Sequence, residues 1–249
     1  MDMELKERFL ERWNKYFPKA ELPIVFYYSD QPDQGELLKP STDWRCLFAD
    51  LARVRNGKSI ALDAVSIGCG GAKKYLGYDL EPRQYFENFL SDGIPGKMEG
   101  IRFKKSPELV RIVSKHQPEF SAPGKYIIFK RWDALQTDDK PLAVIFFAIP
   151  DVLSGLYGLA NFDEPDPNSV IAPSGSGCSS IVYFPYHELE SDHPRAVIGM
   201  FDISARPFAP PATLTFAVPW PKFLRMVQNM DESFLITEQW NQIRIRLNR

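Results

Sequence analysis

Two cysteines of this chain lie in glycine-rich segments, Gly68-Cys69-Gly70-Gly71 and Gly175-Ser176-Gly177-Cys178. In both parts of the chain a strand-like run, a helix, a second strand and the glycine-cysteine segment follow one another. The spacing from Leu47 to Cys69 equals the spacing from Leu156 to Cys178. We therefore expect an internally duplicated unit, with Cys69 and Cys178 in equivalent positions about a pseudo-twofold axis.

The duplication predicts the fold class and the domain organisation. Ile24-Val25-Phe26-Tyr27 resembles Val144-Ile145-Phe146-Phe147, and each run has the β-branched and aromatic composition of a buried strand. We expect an α+β protein with a mixed or antiparallel sheet flanked by helices. The chain should form a single pseudo-symmetric domain over residues 1–249, with halves at 1–120 and 121–249.

Hydrophobic periodicity and capping residues predict the individual elements. Ser41 is a suitable N-cap for a helix that ends near Asn56, and the Glu81-Pro82 and Ser106-Pro107 pairs are typical of helix starts. Residues 240–247 fit either a helix or a strand. Further helices are predicted at 4–17 and 151–160, and strands at 22–28, 60–67, 126–130, 142–148, 196–201 and 213–218.

Composition excludes several classes of function. The 249 residues include 30 Lys and Arg against 32 Asp and Glu, a formal net charge of -2, so we expect no nucleic-acid partner. No apolar run approaches the roughly 18 residues that cross a bilayer, so no membrane association is expected. Three cysteines are too few for a disulfide framework, which favours the reducing cytoplasm. The ligand's identity and the oligomeric state stay open.

The three cysteines are candidate metal ligands. Cys46, Cys69 and Cys178 could bind zinc or an iron–sulfur cluster, because soft thiolates suit both and three of them leave one coordination position open. The spacing is not diagnostic, since no C-x-x-C pair is present. The alternative is that each thiol is an unreactive core residue.

Other chemistry is compatible with the same segments. The backbone of Gly68, Gly70, Gly71 and Gly177 could bind a small anionic ligand, with charge supplied by Lys73 or Arg206. Tight turns at the strand ends are the alternative. Asp202 and Arg206 could form a structural pair, or Arg206 could bind a carboxylate in the cleft.

Two further classes of function compete with ligand binding. Cys69 precedes Lys73 and Lys74, whose charges would favour a nucleophilic thiolate in a cysteine-dependent enzyme. A protein-interaction module is the other alternative, because the chain is rich in aromatic residues, with 18 Phe, 10 Tyr and 5 Trp. Our leading hypothesis is a small ligand or a metal or iron–sulfur centre in a cleft between the two glycine-cysteine segments.

Several segments resemble an uncharacterised prokaryotic family, the ArCR family. The run from Ser66 to Gly77, SIGCGGAKKYLG, is similar to the family's glycine-cysteine motif. Arg45-Cys46, Gly177-Cys178 and the segments 147–156, 199–206 and 214–219 are also similar to it. The resemblance extends from about residue 20 onwards. It implies that Cys46, Cys69 and Cys178 are the cysteines to consider, but it implies no activity, because none is assigned to the family.

Overall fold

The computed structural model describes residues 1–40, 43–79 and 84–249. The strands are β1 (Ile24–Ser29), β2 (Glu36–Leu37), β3 (Ile60–Leu62), β4 (Gly93–Ile94), β5 (Met98–Glu99), β6 (Tyr126–Arg131), β7 (Ala143–Ala148), β8 (Val170–Ile171), β9 (Ala196–Gly199) and β10 (Leu214–Pro219). Eight of them form one mixed sheet in the order β2-β3-β6-β1-β7-β10-β9-β8, and β4 pairs with β5 in a separate hairpin. The α+β fold class with a mixed sheet is confirmed.

Helices cover both faces of this sheet. They are α1 (Met3–Tyr16), α2 (Leu47–Arg55), α3 (Gly70–Tyr75), α4 (Phe86–Leu90), α5 (Pro107–Lys115), α6 (Pro150–Asn161), α7 (Phe184–His187), α8 (Trp220–Asn229) and α9 (Glu238–Leu247). A π-helical turn, Ser179–Tyr183, leads directly into α7. Short 3₁₀ turns lie at Trp132–Ala134, Arg206–Phe208 and Phe234–Ile236. None of the described helices is both long enough and apolar enough to span a membrane.

Local sequence accounts for most of these elements. Asp2 caps α1 by accepting hydrogen bonds from the backbone N–H groups of Glu4 and Leu5, and Ser106 caps α5. Residues 240–247, which the pattern left undecided, belong to α9, because the buried Trp240 anchors that helix by donating to the Tyr16 carbonyl over 2.9 Å. The predicted helix starts at Ser41 and at Glu81-Pro82 lie outside the described residues.

The sheet has the same pattern on both sides of the central β1–β7 pair: outward from the centre, each side contains the first, fourth, third and second of the sheet strands in its half of the chain. On one side follow β6, β3 and β2, and on the other β10, β9 and β8; in both series only the outermost pairing is parallel. The registers also agree, since Ile24 pairs with Arg131 as Ala143 pairs with Pro219. The strand arrangement therefore has twofold symmetry, while the sequence duplication itself stays a prediction.

Two correspondences that the sequence suggested differ from this arrangement. The equivalent of β1 begins at Ala143, one residue before the start of the proposed match, and a shift of one residue exchanges the two faces of a strand. Cys178 lies between β8 and β9, whereas Cys69 follows β3. The cysteine that shares the position of Cys178 is Cys46, which lies between β2 and β3. The prediction that Cys69 and Cys178 are equivalent is therefore wrong.

The two faces of the sheet carry different helices. The first face packs against α2, α3 and the π-helical turn, and its buried residues include Cys46 and Cys178. The second packs against α1, α6, α8 and α9, with Trp13, Trp132 and Trp240 among its buried side chains. Since strand side chains alternate between faces, Ile24 and Phe26 contribute to the first core and Val25 to the second. All three cysteines therefore lie on the first face.

Candidate functional site

Each cysteine directly precedes a helical segment on the first face of the sheet. Cys46 precedes α2, Cys69 precedes α3 and Cys178 precedes the π-helical turn. The side chains of Cys46 and Cys178 are buried, at 6% and 7% exposure, while Cys69 is partly exposed. Three separate segments of the chain thus bring their thiols to one side of the sheet. We refer to these three residues as the cysteine cluster.

Arg45 connects the Cys46 segment to the Cys69 loop. Its backbone N–H donates to the Gly68 carbonyl over 3.2 Å. Its guanidinium donates from Nε to Asp50 Oδ2 and from Nη2 to the Ser66 carbonyl, both over 2.9 Å. A β-carbon on Gly68 would lie 2.8 Å from Cβ of Arg45, so this close approach requires glycine. The first two cysteines are therefore joined through their neighbouring residues.

Gly177 connects the Cys178 segment to Asp202 and to α2. Its backbone N–H donates to Asp202 Oδ2 over 3.0 Å. The other oxygen, Oδ1, accepts hydrogen bonds from the backbone N–H and the hydroxyl of Ser204. A β-carbon on Gly177 would lie 2.6 Å from Cε2 of Phe48 in α2. The segment that carries Cys178 is thus held by Asp202 on one side and by Phe48 of α2 on the other.

The cysteines interact electrostatically with one another. Burial raises the pKa of the Cys46 thiol, the backbone N–H groups of Phe48 and Ala49 oppose that rise, and the charges of Cys69 and Asp202 add to it. Burial also raises the pKa of Cys178 well above its usual value, with further contributions from Cys69, Cys46 and Asp202. Cys69 and Asp202 therefore lie close enough to the two buried thiols to add to their raised pKa values.

Tyr75 borders the same group. Burial raises the pKa of its phenol, a hydrogen bond with Gln117 opposes the rise, and the charges of Cys178 and Asp202 increase it. The Tyr75 ring packs edge-on against Tyr183, with ring centroids 5.6 Å apart. The aromatic rings of Tyr75 and Tyr183 thus lie beside the cysteine cluster.

The glycine segments, for which anion binding stays a prediction, are partly bonded within the chain itself. Gly70 and Gly71 are the first residues of α3, and the Gly177 N–H is already bonded to a carboxylate of the chain itself. The backbone N–H of Lys73 donates to the Cys69 carbonyl over 2.9 Å, which places Lys73 one helical turn after that cysteine. The ammonium of Lys74 lies over the rings of Tyr75 and Phe86, and burial lowers its pKa.

Arg206 closes a turn. Its guanidinium donates to the backbone carbonyls of Thr213, over 2.6 Å, and of Pro211. The Asp202 carboxylate accepts two hydrogen bonds from Ser204 and one from Gly177. The side chains of Asp202 and Arg206 therefore serve different parts of the loop, contrary to the structural pair that their spacing suggested.

The cysteine cluster in its described geometry is not a formed metal site. Over residues 1–40, 43–79 and 84–249, no three side chains of His, Cys, Asp and Glu are arranged to hold a metal ion. A zinc ion bonds each thiolate at about 2.3 Å, and the three cysteines do not have the arrangement that one such ion requires.

Sequence reasoning did not identify Arg45 and Asp202 as parts of this site. Arg45 stands directly before a cysteine in the segment that resembled the ArCR family, which was a usable signal. Asp202 bonds to a residue 25 positions earlier in the chain, and no local pattern reports such a contact.

These features define an α+β protein with a symmetric eight-stranded sheet and a cysteine cluster on one face. The chain belongs to the family described as uncharacterised ArCR, whose model matches residues 19–229, and this confirms the resemblance. Comparison with curated proteins and with solved structures found no match to the chain.

Proposed function

We propose that the chain binds a thiophilic centre, an iron–sulfur cluster or a soft metal ion, through Cys46, Cys69 and Cys178. The observation that supports this proposal is the convergence of all three cysteines of the chain, from three separate segments, on one face of the sheet. Thiolates prefer soft metals, and three of them leave one coordination position for another ligand.

The raised pKa values of the two buried thiols argue against a free nucleophile at those positions. A thiol must lose its proton to attack a substrate, and burial holds Cys46 and Cys178 in the neutral form at neutral pH. A metal cation would replace those protons and relieve the repulsion among the thiolates. Cysteine catalysis would therefore fall to the partly exposed Cys69 alone.

The proposal places the protein in the cytoplasm, where thiols stay reduced, and without a nucleic-acid partner. Its test is metal analysis and absorption spectroscopy of protein purified anaerobically and reconstituted with iron and sulfide. We expect bound iron with sulfur-to-iron charge-transfer bands, or bound zinc, and near-background metal content in each of C46S, C69S and C178S. A160S, a small polar change in the core of the opposite face, controls for general destabilisation. Metal-free wild-type protein after this treatment would contradict the proposal.

Protein binding is a second candidate function, supported by exposed apolar residues beside the site. Trp44 precedes Arg45, Val65 precedes Ser66, and Ile203 follows Asp202; these three apolar side chains are 60%, 63% and 74% exposed. Exposed apolar patches mark interaction surfaces. Sedimentation velocity over a range of concentrations tests self-association, which I203E should abolish and which a concentration-independent monomer would exclude.

A further inference from the structure

We propose that residues 84–117 form a docking surface for an acidic segment of another protein that also carries apolar side chains. We call these residues the basic lobe; they contain α4, α5 and the β4–β5 hairpin. The lobe lies between α3 and β6 in the chain. The proposal does not depend on the centre proposed above, and its surface is separate in sequence from the exposed residues Trp44, Val65 and Ile203.

The twofold arrangement of the strands identifies the lobe as an addition to one half. The connection from β3 to β6 covers residues 63–125, whereas the corresponding connection from β9 to β10 covers residues 200–213. Within the described residues, no member of the lobe belongs to the buried clusters of the sheet. The lobe therefore adds surface to the fold without contributing to its core.

Backbone hydrogen bonds, rather than an apolar core, give the lobe its shape. The N–H of Ile101 donates to the Phe89 carbonyl over 2.8 Å. The N–H of Lys104 donates to the Leu90 carbonyl over 3.0 Å. Across the lobe, all of which is described, the one buried apolar side chain is that of Val110, at 2% exposure. A segment that buries so little of its apolar surface can offer the rest to a partner.

The apolar side chains of the lobe face solvent. Six large ones are 36% to 54% exposed: Tyr85, Phe89, Ile101, Phe103, Leu109 and Ile112. In α5, Val110 is buried, while Leu109 and Ile112 lie three residues apart on another side of the helix. Exposed apolar patches of this kind mark interaction sites on soluble proteins. This face of α5 is therefore the centre of the proposed surface.

The charge of the lobe specifies the partner's chemistry. The stretch from Lys97 to Lys115 has six basic residues and two acidic ones, a net charge of +4. One of the two acidic residues, Glu108, pairs with Arg111 over 3.5 Å. Lys105 and Lys115 are exposed at the two ends of α5, next to its apolar face. The complementary surface has acidic side chains around apolar ones.

The distribution of charge over the whole chain favours a protein as the occupant. Since the chain carries a net charge of -2 and the stretch 97–115 carries +4, the remaining residues carry -6. An extended anionic surface, such as a phospholipid bilayer or a nucleic-acid backbone, would be repelled by that remainder. A protein segment can confine its negative charge to the lobe.

The test is fluorescence anisotropy with two labelled peptides of equal length and charge, one of alternating Glu and Leu and one of alternating Glu and Ser. We expect the Glu-Leu peptide to bind about tenfold more tightly, because only it covers the apolar face. Its binding should weaken as NaCl is raised to about 0.3 M, since salt screens the lysines. I112S and K105E/K115E should each weaken it by about tenfold.

Matched variants outside the lobe serve as controls. Ile245 in α9 is 52% exposed, close to the 54% of Ile112, so I245S removes a similar side chain. K58E/K140E, at two exposed lysines, changes the net charge as much as K105E/K115E does. Both controls should bind the Glu-Leu peptide as the wild type does.

Several results would overturn the inference. They include no binding of the Glu-Leu peptide, equal binding of the two peptides, and wild-type binding by I112S and K105E/K115E. Phosphatidylserine vesicles or oligouridylate that bind the wild type but not K105E/K115E, without a preference for the Glu-Leu peptide, would assign the lobe to lipid or nucleic acid instead. A concentration-dependent dimer that I112S abolishes in sedimentation would assign it to a second copy of the chain.

Discussion

Gly177 and Phe48 are in direct contact: a β-carbon on Gly177 would lie 2.6 Å from Cε2 of the ring and 3.2 Å from Cβ of Ala205. Phe48 belongs to α2, the helix that follows Cys46, and Gly177 precedes Cys178. The contact therefore sets the separation of the two segments that carry the buried cysteines. The helix α2 and the segment that carries Cys178 come from different halves of the chain.

G177A should destabilise the protein by about 1–3 kcal/mol, because the added methyl group must displace a buried ring. G71A is the matched control within the other glycine-cysteine segment. Its β-carbon would meet only the Cys69 sulfur, at 3.8 Å, and alanine favours the helix that Gly71 occupies by up to about 1 kcal/mol. Urea unfolding followed by circular dichroism measures both. Equal stability of the two variants would contradict this packing argument.

The three thiols of metal-free protein should react with iodoacetamide at different rates. Cys69 is partly exposed and should be alkylated first, whereas burial and raised pKa values should slow Cys46 and Cys178 at pH 7.5. Peptide mass spectrometry over time gives the three rates, and labelling in 6 M urea should equalise them. Fastest labelling at Cys178 would show that the described burial is incorrect.

Breaking the ion pair between Lys222 and Glu164 should be costly. The Lys222 ammonium lies 3.0 Å from Glu164 Oε1, and the two side chains are 1% and 2% exposed. K222M leaves the buried carboxylate with Arg225 as its remaining strong partner and should lower the free energy of unfolding by about 3 kcal/mol. Urea unfolding at pH 7 measures the loss.

An exposed ion pair provides the comparison for this effect. Arg246 pairs with Asp151, and the arginine side chain is 63% exposed. R246M should cost less than about 1 kcal/mol, since solvent screens such pairs. The double variant K222M/E164Q should recover part of the loss, because it leaves no unpaired buried charge at these two positions. A K222M protein as stable as R246M would refute the argument.

Acid should destabilise the protein partly through His187. Burial lowers the pKa of this imidazole, although the charges of Glu188 and Glu190 oppose the effect, and within the described residues its Nε2 has no hydrogen-bond partner. The unfolded chain therefore binds a proton at a higher pH than the folded chain does. Stability from this group is present above the ordinary pKa of about 6.5 and is lost as the pH falls below it.

H187F should remove this pH dependence. Phenylalanine suits the aromatic surroundings, where the imidazole lies 4.5 Å from the Tyr183 ring centroid and 5.7 Å from that of Phe120. The stability of H187F relative to wild type should increase as the pH falls from 7.5 to 5, as measured by urea unfolding at each pH. H116F, at an exposed histidine, controls for the loss of an imidazole. A constant difference across that range would contradict the prediction.

The sequence predicted the central strands and the longer helices because their signals are local. Apolar runs identify β1, β6, β7 and β10, the helical spacing of apolar residues identifies α1, and the Ser106-Pro107 pair identifies α5. The edge strands β2 and β8 have two residues each, too few for a periodic pattern. The equal spacing of Leu47 and Leu156 from the cysteines was misleading, because the two leucines belong to α2 and α6, which are not equivalent.

The site was only partly predictable, because some of its contacts join residues that are far apart in the sequence. Cysteines are rare in the chain and stand out in any reading, so all three were identified. The partner of Asp202 was expected four residues away, at Arg206, since short spacings suggest local pairs. The observed bond to Gly177 depends on how the sheet brings two distant connections together. Contacts of that kind follow from topology rather than from spacing.

The position of β10 in the sheet has a consequence for the order of events during synthesis. The pair β8–β9, whose connections carry Cys178 and Asp202, is joined to the other strands only through β10. Since β10 ends at residue 219, a growing chain that is shorter than this has no strand to attach β8 and β9 to the rest of the sheet. The proposed centre, which needs Cys178 together with Cys46 and Cys69, would therefore be inserted only after β10 has completed the sheet.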